Sequence, residues 1–157
     1  MTLVEKLKLV RTALYVPAIN ARALEKARGL DVDMLIIDLE DSVPAESKAE
    51  ARAAAVEEVA KGFPGKLVAI RLNGLDSPEL AADIKAAERS LADCFVLPKV
   101  ESASDLDPVV AKLPNPVLAM IALGWTLPHG RATGRLPKYN PARRQTFVIT
   151  DRQHVCA

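Results

Sequence analysis

Five short runs of almost unbroken apolar residues recur through the first 121 positions: 12–18 (TALYVPA), 34–40 (MLIIDLE), 67–73 (LVAIRLN), 94–100 (CFVLPKV) and 116–121 (PVLAMI). Each is strand-length, and a run without polar alternation reads as a strand buried on both faces. The intervals carry helix punctuation. Asn20 is placed to cap a helix through Ala27, closed by Gly29 as its C′ residue. Pro44 sits near the first turn of a long Ala/Glu helix that ends at Gly62, with Pro64 just beyond. Asp76-Ser-Pro-Glu opens a third helix with carboxylates in its first turn. Ser102-x-x-Asp105 is a capping box for a short fourth. The resulting β-α-β-α-β-α-β-α-β order predicts a parallel sheet covered by helices. It leaves two architectures open, a doubly wound sheet or the N-terminal half of a (β/α)8 TIM barrel.

After Ile121 the pattern stops. Residues 122–157 contain Gly124, Gly130, Gly134, Pro128, Pro137 and Pro141, no helical period, and one strand-like run at 146–150 (TFVIT). The charge changes sign at the same place. Residues 1–121 carry 15 basic and 19 acidic side chains, whereas the last 36 carry six against the single Asp151. The domain organisation expected is therefore a partial barrel at 1–121 and an irregular basic tail at 122–157, as out-of-frame translation after a frameshift would produce. Reading the coding DNA in the other two frames tests this. The tail lacks the aromatic interleaving and motifs of a nucleic-acid binder, so no nucleic-acid partner is expected. His129 and His154 fall within it with no metal-like neighbours. No apolar run approaches the roughly 20 residues of a membrane span, and no secretory leader is recognisable. Cys94 and Cys156 form no disulfide framework or metal-ligand spacing, which points to a reducing, cytoplasmic setting.

Parallel α/β folds gather their chemistry at the C-terminal ends of the strands. That is where this chain keeps its charges: Asp38, Glu40 and Asp41 after the second run, Arg71 and Asn73 on the third, Lys99 and Glu101 on the fourth. Alternation puts Asp38 and Glu40 on one face of their strand, and Arg71 and Asn73 on one face of the next. One reading is a substrate site, with Arg71 clamping a carboxylate through its planar fork and the acids organising Mg²⁺ or its waters. The other is an internal salt-bridge network capping the sheet. Lys99 either binds substrate or pairs with Glu40 or Asp41. Asp38-Leu-Glu-Asp-Ser also has the look of an aspartyl-phosphate hydrolase motif with Asp38 as nucleophile.

Taken together, RTALYVPAINARALEKA, DMLIIDLEDSVPAESKAEAR, VAIRLNGLDSPELAADI and FVLPKVESASDL are similar to the citrate lyase β-subunit-like family of the wider HpcH/HpaI aldolase group. The resemblance covers about residues 11–121. It implies a (β/α)8 barrel that cleaves or forms a carbon–carbon bond beside a carboxylate, usually on acyl-CoA substrates with Mg²⁺. By motif, Arg71 would bind the substrate carboxylate with Lys99 beside it, while Glu40 and Asp41 would orient these cations or metal-bound water. Tyr15 and Lys26 would meet coenzyme A. Asn20 stands where some relatives place an arginine, and Arg22 is the nearest substitute.

The resemblance also shows what to look for and not find. Strand five of the family runs into Glu-Thr, whose glutamate is a metal ligand, but here Ala122-Leu123 follows. A metal-binding aspartate after strand six, and a C-terminal third that often lends an aspartate to the neighbouring subunit, have no counterpart. No residue of this chain is therefore assigned as a direct metal ligand. The expectation is a Mg²⁺-dependent lyase by descent, impaired in this chain, acting on a small carboxylate or acyl-CoA. A non-catalytic fragment acting through oligomerisation or CoA binding, and a phosphohydrolase using Asp38, are the alternatives. A half barrel has two raw strand edges, which favours a homo-oligomer.

Overall fold

The computed structural model of the chain describes residues 1–121 and the strand at 146–150. The rest of the predicted irregular tail, with both histidines, lies outside the described residues. A short helix α1 (Leu3–Lys8) precedes β1 (Ala13–Pro17), α2 (Ala21–Arg28), β2 (Met34–Asp38), α3 (Lys48–Lys61), β3 (Leu67–Arg71), α4 (Leu80–Ala87), β4 (Cys94–Leu97), α5 (Asp107–Val110) and β5 (Val117–Ile121). A last strand, β6 (Thr146–Thr150), falls on the run expected from the sequence.

The strands lie side by side in chain order, β1 to β6, and the first four pairings are parallel. No strand is skipped, so the sheet has no topological switch point, and the doubly wound alternative is removed. Side-chain layering agrees. Leu24 and Ala27 of α2, Ala51, Ala55 and Val59 of α3, Ile84 and Ala87 of α4 and Val109 of α5 all pack into one core with Leu35, Ile37, Ile70, Leu72, Phe95 and Leu97. The other face carries Met34, Ile36, Ala69, Cys94, Val96, Leu118 and Met120, and among the described helices α1 closes on it through Leu7 and Leu3. All four crossover helices on one face of a parallel sheet is the right-handed, singly wound arrangement of a barrel. The described chain is four βα units plus a fifth strand, the first half of a (β/α)8 barrel. β6 departs from barrel order by running antiparallel to β5, with Val117 opposite Thr150 and Ile121 opposite Thr146. No helix among the described residues is long and apolar enough to cross a membrane.

Local chemistry sets the element ends. Asn20 caps α2 as expected, its side chain accepting from the Ala23 amide at 3.0 Å. Gly29 closes that helix at φ −89°, without the left-handed turn that would demand glycine. Gly62 after α3 is at φ +82°, where a Cβ is strained. Pro44 is extended and precedes a single 3₁₀ turn at Ala45–Ser47, so α3 begins later than the proline implied. Ser102 and Asp105 do form a capping box, over a 3₁₀ turn leading into α5. The sequence reading missed α1, although Thr2 and Glu5 form the same reciprocal box there.

Candidate active site

Asp38 ends β2 and Arg71 ends β3, and the two are register partners. Both point to the inner face, so their side chains meet at the mouth of the half barrel. Arg71 Nε donates to Asp38 Oδ1 at 2.7 Å and Nη2 to Oδ2 at 2.6 Å, a two-point fork between side chains 8% and 2% exposed. Asp38 also accepts from the Glu40 amide at 2.8 Å, the Ser42 amide at 3.2 Å and the Ser42 hydroxyl at 2.5 Å. Burial opposes ionisation of Asp38, but these donors and the guanidinium charge outweigh it and lower its pKa. Burial likewise disfavours the guanidinium, and Asp38 overturns that too, so Arg71 is held protonated more firmly than usual.

This geometry removes the phosphohydrolase alternative. A nucleophilic aspartate needs an open oxygen lone pair facing its substrate, and both Asp38 oxygens are committed to donors within the fold.

Glu40 is the opposite case. Both its oxygens are buried with no aligned hydrogen-bond donor. Lys99 Nζ stands 2.9 Å from Oε1 and Arg71 Nη1 3.2 Å from Oε2, ion-pair distances without donor alignment. Burial raises the Glu40 pKa, and the two cations only partly offset it. Asp41 is exposed and reaches Arg71 Nη1 at 3.5 Å. The Tyr15 ring lies beneath the guanidinium, 5.1 Å from Cζ, and its hydroxyl donates to Met120 Sδ at 3.5 Å. Lys99 takes φ +57°, the only described non-glycine residue with positive φ, and this turns its 68% exposed side chain back across the mouth to Glu40.

The structure thus brings Arg71, Glu40, Asp41, Lys99 and Tyr15 into one cluster. Lys26 and Arg22 are exposed on α2, in the outer helical layer. Asn73, expected beside Arg71, lies two residues beyond the end of β3 and turns to the scaffold instead: its amide group donates to Leu39 O and to Asp83 Oδ2. Two participants were missed. Lys48 Nζ donates to the carbonyls of Leu39 and Glu40 and to Asn73 Oδ1, and the wholly buried Asp83 also accepts from the Asn73 backbone amide. The signal was present. Lys48 shares its helical stripe with the buried Ala51, Ala55 and Val59, and Asp83 shares one with Ala87. A charge on a core-facing stripe asks for a partner.

Mg²⁺ takes an octahedron of oxygens, usually one or two carboxylates with waters and substrate. Among the described residues no three His, Cys, Asp or Glu side chains converge as such a site. Asp38 is saturated, Asp41 is turned to solvent, and Glu40 faces two cations that repel a divalent ion. The described residues do not fit a magnesium site by themselves.

A family model described as HpcH/HpaI aldolase/citrate lyase matches residues 11–119. A (3S)-malyl-CoA thioesterase of Cereibacter sphaeroides is 42% identical over 115 residues, covering 71% of this chain and 40% of that protein. The citrate lyase subunit beta of Leuconostoc mesenteroides subsp. cremoris is 35% identical over 98 residues, covering 62% and 32%. Among solved structures, the citrate lyase beta subunit from M. tuberculosis complexed with oxaloacetate and magnesium superposes with a TM-score of 0.63 at 27% identity, over 74% of this chain and 49% of that one. The chain spans half or less of the length of these proteins.

Proposed function

The chain belongs to the HpcH/HpaI aldolase/citrate lyase family, and from that premise we propose that residues 1–121 form the carboxylate-binding half of a carbon–carbon lyase site acting on a 2-hydroxy or 2-oxo acid or its acyl-CoA thioester. The observation that carries this is the state of Arg71. Asp38 holds its Nε and Nη2 at 2.7 and 2.6 Å, while Nη1, facing the mouth, makes only longer contacts of 3.2 Å to Glu40 and 3.5 Å to Asp41. One edge of the fork is fixed by Asp38, and the other, held only by these longer contacts to Glu40 and Asp41, is the edge an incoming carboxylate would take.

The chemistry follows from that placement. A substrate carboxylate seats on Arg71 Nη1, with the Lys99 ammonium as the second cation. When the bond beside the substrate hydroxyl breaks, the hydroxyl proton leaves and the bonding pair passes to the neighbouring carbonyl as an enolate, which fixed cations stabilise. Glu40, buried and with a raised pKa, is suited to hold a proton at this mouth. In a complete barrel the remaining strands line the same mouth, so this chain alone is expected to bind the acid with little turnover. Solved relatives complexed with magnesium and pyruvate, or with magnesium, acetoacetate and coenzyme A, support a small carboxylate and an acyl-CoA as ligand classes. The cation Lys26 is then a coenzyme A contact to test separately, since Lys26→Ala should weaken an acyl-CoA and leave a free acid unaffected.

A second reading, thioester hydrolysis, is favoured by the 42% identity to a malyl-CoA thioesterase. Both rest on the same carboxylate grip. Calorimetry with pyruvate, with and without Mg²⁺, tests that grip. Binding that Arg71→Lys weakens at least about tenfold supports it, and a wild-type chain that binds no pyruvate overturns it. With malyl-CoA, an aldehyde product marks cleavage, and free thiol without aldehyde marks hydrolysis.

A further inference from the structure

We propose that Lys48 is a positioning residue of this site: it fixes the turn after β2 so that the Glu40 carboxylate is held against Arg71 and Lys99. The inference rests on the reading of the cluster as a carboxylate-binding site, and it concerns a residue that touches none of the cluster's side chains.

An ammonium has three protons to donate, and all three of Lys48 are used. Nζ lies 2.6 Å from Leu39 O, 2.7 Å from Glu40 O and 2.8 Å from Asn73 Oδ1. The Glu40 main chain is therefore pinned at both polar groups. Its amide donates forward to Asp38 Oδ1 at 2.8 Å, and its carbonyl accepts from behind, from Lys48 on α3. The third acceptor is anchored in turn. Asn73 Nδ2 donates to Asp83 Oδ2 at 2.7 Å, its amide donates to the same oxygen at 2.8 Å, and Arg52 Nη1 lies 3.2 Å from Asp83 Oδ1 and 2.6 Å from Glu79 Oε2. A buried polar relay thus runs from α3 and α4 to the turn bearing Glu40. At its end the Glu40 side chain, buried and held by ion pairs to Lys99 and Arg71 without an aligned hydrogen-bond donor, is the point the relay holds in place. A turn fixed at both ends keeps a carboxylate in an orientation it would not choose if free, which is the office of a supporting shell around a reacting group.

The experiment uses the full chain. Carbon-detected NMR follows the titration of the Glu40 carboxyl, and calorimetry follows pyruvate binding, in wild type, Lys48→Met, Glu40→Gln and the double variant. The charged groups facing Glu40 are Arg71 from β3, Lys99 from the end of β4 and Asp41 from its own turn, and none of these is altered by Lys48→Met. In wild type Glu40 is expected to titrate above the ordinary glutamate value, because burial disfavours its charge. Lys48→Met brings it back toward that range, because a released turn lets the carboxylate rehydrate. Pyruvate binding weakens about tenfold to a hundredfold in Lys48→Met, and Lys48→Met adds nothing further once Glu40 is Gln. If Lys48→Met does not fold, Lys48→Arg serves, since a planar fork cannot aim three donors from one nitrogen, and the same direction of change is expected. A Glu40 titration unmoved by either variant overturns the proposal, as does a double variant whose losses multiply, the result of a merely structural lysine. A wild-type chain that binds no pyruvate but shows a Lys48-dependent Glu40 titration leaves the positioning role standing and overturns the carboxylate-binding reading alone.

Discussion

Replacing Arg71 by methionine is the perturbation with the most to reveal, because three acids depend on that guanidinium. The side chain loses a two-point fork to Asp38 at 2.6 and 2.7 Å, in a place where the partners are 8% and 2% exposed. It also withdraws one of the two cations beside Glu40. Breaking a buried ion pair by deleting one partner costs about 3–5 kcal/mol, because the surviving charge stays buried without compensation. Against a domain stability on the order of 5–15 kcal/mol this is a large loss. An exposed pair would cost no more than about 1 kcal/mol, so the two descriptions of the cluster differ measurably.

The pH dependence sharpens the test. In the wild type the folded-state pKa of Asp38 is lowered, so its contribution is present above the unfolded value of about 3.9 and is lost as pH falls through the folded one. In Arg71→Met the burial that opposes ionisation acts against fewer donors, and the Asp38 pKa moves upward past its unfolded value. Its contribution then changes sign, and the variant gains stability as pH falls from 7 toward about 4. Urea denaturation of the full chain at several pH values, with an unchanged m-value, reads both effects. Pairing the substitution with Asp38→Leu should recover most of the loss, since no charge is then stranded. A loss below about 1 kcal/mol, or a double variant that costs the sum of the singles, would refute the description of this cluster as a desolvated, mutually dependent pair.

Three further outcomes are expected. Glu40 has a raised folded-state pKa, so its contribution is fully present below the unfolded value of about 4.3 and is lost as pH rises through the folded one. Glu40→Gln should flatten that decline in thermal melts across this range while weakening pyruvate binding, and a decline as steep as the wild type's counts against the assignment. Lys99 holds φ +57°, a conformation costing a non-glycine residue about 1–2 kcal/mol, so Lys99→Gly should be more stable than Lys99→Ala by about 1 kcal/mol in chemical denaturation. Equal stabilities would mean that the turn relaxes in the variants. Thr2→Ala removes the hydroxyl that accepts from the Glu5 amide at 3.2 Å and should cost about 1 kcal/mol, with exchange of the α1 amides accelerated; unchanged exchange would show that the packing of Leu3 and Leu7 holds α1 in place without the cap.

The element order and the gathering of charge at the strand ends were legible because an apolar run bounded by turn residues has few alternatives. The strand ends themselves were not, and each overshoot has a physical cause. β2 stops at Asp38 because the Asp38 carboxylate takes the Glu40 amide, a side chain competing with the ladder two residues on. β3 stops at Arg71 because Asp83, ten residues away in sequence, takes the Asn73 amide. β4 stops at Leu97 because Pro98 has no N–H to give. The first and third causes are local and readable, whereas the second depends on where α4 docks. Lys48 shows the same divide. Its position on an apolar stripe could be read from the sequence, but its three acceptors belong to two separate turns that only the folded chain brings together.

Three carboxylates within four residues look at first like one feature, yet the fold gives each a different office. Asp38, on the strand, is saturated by five donors and sets the plane of the Arg71 fork. Asp41, in the turn, is exposed and reaches only the outer nitrogen of the guanidinium, at 3.5 Å. Glu40 is buried like the first and without aligned donors, and its carboxylate is stabilised only by cations that a substrate would also want. If the mouth takes a carboxylate as proposed, that ligand competes with Glu40 for Arg71 Nη1 and for Lys99. Burial raises the Glu40 pKa, so drawing its cations away is expected to raise it further and to bring a proton onto it. Calorimetry in buffers of different ionisation enthalpy checks this prediction: a binding enthalpy independent of the buffer would show that Glu40 moves aside still charged.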